Sequence, residues 1–199
     1  MILCAMSATA CSRHDGAGQA QREKDRDRQA RLAKAAESVR ALVAKTGADT
    51  TWKSELLGEG FNPLKRIYSI DVARVWRRGR PILMVGHLDD VSSDEPSTYK
   101  LTVRASEFLG PSFELEVTCS QETARAAVDA ARSDRDNFMG GGVALAAHVA
   151  EVKSFLERDD EGRRHVFIGY GKCIDVAYVG EIDNVAVLLE RLPRSRAEE

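Results

Sequence analysis

The sequence predicts a mainly β domain with helical appendages, a five-stranded Greek-key barrel preceded by a helix. Three observations predict it. From about Arg80 onward the apolar segments follow in the order strand, strand, strand, helix, strand, strand. Two of them, Tyr99–Ala105 and Phe113–Cys119, alternate apolar and polar residues with the period of two that a half-buried strand requires. Turn-forming stretches separate the segments: the acidic Ser92–Ser97, Gly110-Pro111 and the charged Arg158–Arg164.

Each element has its own warrant. Pro81–Val91 begins with a continuous apolar run, and its central Gly86 suits a strand that bends where a small barrel closes. In the second strand Tyr99, Leu101 and Val103 share one face, and Lys100, Thr102 and Arg104 the other. In the third, Phe113, Leu115, Val117 and Cys119 point inward while Glu114, Glu116 and Thr118 point outward. Ser120 then caps a small-residue helix over Gln121–Arg132, with Glu122 in its first turn. The fourth segment, opened by Gly140-Gly141-Gly142, reads two ways. Val143, Leu145, Ala147 and Val149 alternate as a strand does, whereas Leu145, Val149, Val152 and Leu156 trace a helical face. Its alanines favour helix; the glycines before it and the charged turn after it favour a hairpin, and a strand is the reading adopted. His165–Val179 is β-branched and aromatic and reads as the last strand. Three strands, one helix and two strands is the order of an OB-fold, with the helix between strands three and four. The barrel domain is expected to span 81–192, followed by a disordered tail at 193–199.

Upstream, 12–49 reads as a charged helical stalk or linker. Within it Leu32, Val39, Leu42 and Val43 form a thin apolar stripe confined to the C-terminal half, and Gly47 ends the helix. The connector 50–80 carries Trp52, Leu56 and Leu57, then a short helix over Ile70–Arg77 that Ser69 is expected to cap. Trp76 is expected to anchor the core at one end of the barrel. Arg74, Arg77, Arg78 and Arg80 cluster beside it and make the one rim where an anionic ligand would meet several cations together.

Composition bounds the function. The chain has 199 residues and a formal net charge of −2, so no global basic field recruits nucleic acid or anionic membrane. GxSxG, HExxH and P-loop signatures are absent, and the chain is expected to be no enzyme, with no cofactor. His87 and His148 fall on neighbouring strands and can approach each other, but two histidines alone make a poor zinc site. Asp89-Asp90 with Asp94-Glu95 lacks the oxygen-rich spacing of a calcium loop, so no metal site is expected.

Met1–Cys11 is apolar, then small, then cysteine, with a polar stretch directly after it. It resembles the end of a bacterial lipoprotein signal. That resemblance implies removal of the first ten residues, lipidation of Cys11 and, with Ser12 following, outer-membrane anchoring at the periplasmic face. The strand with Gly86, the alternating strand ending in Cys119, the helix, Val143–Val152 and the closing strand with Cys173 resemble the "tRNA anticodon-like" OB families of bacterial secreted and lipid-anchored proteins. Together the two resemblances imply a non-enzymatic envelope protein that binds a protein or a small ligand. The alternative is a nucleic-acid or oligosaccharide-binding module. Strands three and five are neighbours in such a barrel and export supplies an oxidising compartment, so Cys119 and Cys173 are either disulfide-bonded or two buried free thiols. The outward faces of strands two and three offer no aromatic residue for base stacking, and no strong nucleic-acid binding is expected.

Overall fold

The structure, a computed structural model, describes residues 12–58, 67–93, 95–106, 111–134, 141–159 and 162–180. Helix α1 (Ser12–Thr46) leads through α2 (Trp52–Leu57) and α3 (Ser69–Trp76) into five strands. These are β1 (Ile82–Ser92), β2 (Thr98–Ser106), β3 (Ser112–Ser120), β4 (Gly142–Asp159) and β5 (Gly162–Gly180), with α4 (Gln121–Ser133) between β3 and β4. The strands close in the order β1-β2-β3-β5-β4, all antiparallel except β3 with β5. This is the OB-like barrel that the element order predicts, and the ambiguous fourth segment is a strand.

Closure depends on β1 serving two partners. Ile82–His87 pairs with β4 and His87–Ser92 with β2, so the strand must bend between its halves. Gly86 lies at that bend, where any Cβ would run into the Arg104 carbonyl of β2. Beyond the end of the β2 ladder the connector takes over. The Leu83 N–H donates to the Asp49 carbonyl at 2.9 Å, and the Leu83 carbonyl accepts from Trp52 Nε1 at 2.6 Å.

Two apolar clusters share the barrel wall. Inside, Met84, Leu101, Val103, Phe113, Leu115, Leu145 and Phe167 form the core. At the β3 N-terminal end α2 and α3 stopper it: Trp52 and Trp76 meet edge to face at 5.3 Å, and both pack on Phe113. Beyond the other end of β3, Ser120 caps α4 by accepting from the Thr123 N–H, and Ala124, Ala127, Val128 and Ala131 are buried. Outside, Ala35, Ala36, Val39 and Leu42 of α1 pack on Leu83 and Val85 of β1 and on Ala144 and Ala146 of β4. The first half of β1 is therefore buried on both faces, which explains its unbroken apolar run. The alanines of β4 are strand residues that let a helix approach closely.

Two local expectations need correction. The second half of α1 is a packed part of the domain, tied down further by the 2.7 Å ion pair of Lys45 with Asp175, rather than only a stalk. Ser69 begins α3 rather than capping it: Tyr68 occupies the cap position in extended conformation and makes no side-chain cap bond. Gly47 (φ +64°) does stop α1, in a conformation glycine alone adopts freely.

Candidate functional site

The face that OB-folds use for ligands, the outer side of β2 and β3, is built here by strict alternation. Lys100 stands opposite Thr118, Thr102 opposite Glu116 and Arg104 opposite Glu114. Its charges are satisfied internally. Lys100 Nζ lies 3.6 Å from Glu116, and Arg104 Nε lies 2.9 Å from both Asp89 of β1 and Glu114. The Arg104 Nε–H is aligned on neither oxygen, so these contacts are ion pairs before they are good hydrogen bonds. Glu114 is buried, and desolvation raises its carboxyl above the ordinary 4.5 despite the opposing pull of Arg104; Asp89 and Glu157 push in the same direction as burial. Around Arg104 carboxylates outnumber the cation, and the centre of this face is acidic.

Sequence reasoning missed the part of the surface that β5 and β4 supply. Parallel pairing sets Tyr170 of β5 beside Glu116, so an aromatic ring continues the face. Lys153 of β4 covers that ring, its Nζ 4.9 Å from the centroid. The signal was available only through the β3–β5 register, which local periodicity does not reveal.

The arginine rim is divided. Arg74 pairs with Asp71 at 3.3 Å, and Arg78 with Glu55 at 2.5 Å. Both pairs line a cleft of about 230 Å³ between α2 and α3. Arg77 and Arg80 are exposed just beyond α3. A second cleft, of about 260 Å³, lies between α1 and the end of β5, where Arg28, Arg31 and Lys34 face Val179 and Gly180. At its floor the Tyr178 hydroxyl donates to Asp134 at 2.6 Å.

The histidines do not meet. His87 pairs with Gly142, whereas His148 lies six residues further along β4, roughly 20 Å away at the strand rise of about 3.3 Å. Both are exposed. Among the described residues no group of three His, Cys, Asp or Glu side chains could hold a metal ion, and no helix is long and apolar enough to cross a membrane. Cys11, Asp94 and the 193–199 tail lie outside the described residues.

Cys119, at the end of β3, is joined to Cys173 of β5 by a disulfide with a Cα–Cα separation of 4.9 Å. The parallel register explains the proximity, because Thr118 opposes Lys172 and the next residue on each strand is the cysteine.

Fold and surface together define an OB-like barrel with a docked N-terminal helix and an ion-paired outer face. No protein-family model, curated protein or solved structure matches the chain.

Proposed function

We propose that this chain is a non-enzymatic, lipid-anchored OB-like protein of the bacterial cell envelope that binds a protein or small-ligand partner. The observation that carries the compartment is the disulfide between Cys119 and Cys173, a bond that persists in the periplasm and is kept reduced in the cytosol. The resemblance of Met1–Cys11 to a lipoprotein signal supplies the anchor. The shape of α1 suits that anchor. Gln19–Arg31 is exposed, and the twenty residues from Ser12 to Arg31 span roughly 30 Å at 1.5 Å per residue, so a lipid on Cys11 would hold the barrel clear of the membrane surface. The "tRNA anticodon-like" resemblance fits the barrel and carries no substrate with it.

The test is metabolic labelling with a palmitate analogue. Wild type should label and fractionate with the outer membrane, and Cys11→Ala should do neither. Equal labelling of both proteins, or of neither, rejects the anchor. Nucleic-acid or oligosaccharide binding remains the second reading, favoured by the exposed arginine rim, of which Arg77 and Arg80 lie outside the ion pairs with Asp71 and Glu55.

A further inference from the structure

β4 and β5 are far longer than the barrel needs. β1 covers β4 only from Gly142 to Ala147, whereas the ladder with β5 continues to Asp159. From His148 onward, nothing among the described residues pairs with the other edge of β4. The edge carries exposed apolar side chains on both faces, Phe155 at 48% and Leu156 at 47%, with Ser154 and Arg158 exposed beside them. Alternate residues along such a strand turn their N–H and C=O groups away from the existing partner, leaving a row open to another strand.

We propose that this edge pairs with the same edge of a second copy, antiparallel about a two-fold axis through Phe155. A two-fold axis normal to a sheet keeps each side chain on its own face, so only residues of the same parity can stand opposite one another. Centring on Phe155 sets the two Phe155 rings together and places each Lys153 against the Glu157 of the other copy. On the opposite face Leu156 meets Ser154. The other allowed centres are worse. Centring on Lys153 opposes the two lysines, and centring on Ser154 sets each Phe155 against a Lys153 and each Glu151 against a Glu157. Centring on Val152 parts the two Phe155 rings and sets each against Val149, and centring on Leu156 sets each Phe155 against a Glu157. In the Phe155 register the acidic residues 151 and 159 stand opposite each other, and this like-charge pair confines the ladder to the segment between them. An aromatic pair flanked by two opposite-charge pairs is the combination that stabilises antiparallel neighbours. The same charges that discourage indiscriminate edge pairing thus select one register and one partner, this chain itself.

Sedimentation equilibrium on the full chain, in non-reducing buffer, tests the proposal. Wild type should show a concentration-dependent monomer–dimer equilibrium. Lys153→Glu alone, or Glu157→Lys alone, turns both ionic pairs repulsive and should weaken dimerisation by about tenfold or more. An equimolar mixture of the two variants restores opposite charges across the edge, and should dimerise as wild type does. That mixing arm separates a lost contact from a misfolded variant. A wild type that stays monomeric overturns the proposal, as does a dimer indifferent to either substitution or two variants that fail to dimerise with each other.

Discussion

Cys119 and Cys173 stand 54 residues apart in sequence, and their bond holds β3 against β5 where the two strands run parallel. A cross-link over a loop of that length removes about 4 kcal/mol of unfolded-state freedom in the chain-entropy account. The Cys119→Ala/Cys173→Ala double variant is therefore expected to lose about 2–4 kcal/mol of unfolding free energy. Urea melts should give wild type in reductant the same midpoint as the double variant. Gly169 is a second point of intolerance. A Cβ there would lie 2.8 Å from both the Trp76 ring and Leu115 Cδ2, and both side chains are themselves fully buried. Gly169→Ala should cost about 1–3 kcal/mol through overpacking, read from the same melts. Glu114 gives a pH signature. Burial holds its carboxyl above 4.5 in the folded chain, so the folded state keeps that proton to higher pH than the unfolded state does. The stability this group contributes is complete below the unfolded value and is lost as pH rises through the folded value. Relative to Glu114→Gln, wild type should lose stability as pH rises above 4.5. A difference between the two proteins that does not change with pH would contradict the raised value.

At the scale of elements, α1 is the unit whose role rests most on packing. Val39 is fully buried and Leu42 is 4% exposed against β1 and β4, so truncating Leu42 removes contact from a closed interface. Leu42→Ala is expected to cost about 2–4 kcal/mol, and limited proteolysis should cut α1 of this variant before the barrel is touched. An α1 as resistant as in wild type would mean that the helix is held by other contacts. The same interface explains what the sequence disclosed and what it hid. The strands β2 and β3 have one solvated face, so their period of two is clean and both were legible to within a residue or two. β4 mixes three environments: alanines under α1, a core face at Leu145 and Ala147, and an exposed arm beyond Val149. Its pattern therefore fits neither period well. The apolar stripe from Leu32 to Val43 marks the half of α1 that is buried, but it is thin enough to read as part of a solvated stalk. Only the fold identifies the buried surface as the outer wall of β1 and β4, because that contact joins α1 to two strands distant from it in sequence. Tyr170 was hidden for the same reason: its place on the outer face is a matter of register.

For the whole molecule, the distribution of charge on the barrel decides which partners the usual OB face admits. Single strands bind such a face through bases stacked on aromatic rings above a basic groove, and each stack contributes roughly 1–3 kcal/mol. Here Tyr170 already lies under Lys153, and the exposed Phe155 of the β4 arm continues the same face only beyond Val166, outside the β2–β3 surface. The two cations of β2 are engaged: Lys100 with Glu116, and Arg104 with Glu114 and Asp89. A phosphate would have to displace those carboxylates, and the displaced anions would remain beside it and repel it. Counterion release cannot make up the difference, since few free cations lie on this side of the barrel and each phosphate contact weakens as salt rises. Fluorescence anisotropy with labelled DNA and RNA oligonucleotides at about 0.15 M salt, near physiological ionic strength, should therefore detect no sub-micromolar binding. Any weak, salt-sensitive signal should depend on Arg77 and Arg80, the rim members outside the ion pairs with Asp71 and Glu55. Substituting Lys100 and Arg104 should leave that signal unchanged. Tight binding that disappears with Lys100→Ala/Arg104→Ala would reverse the assignment and make this face a nucleic-acid site, with the ion pairs acting as a gate that the ligand opens.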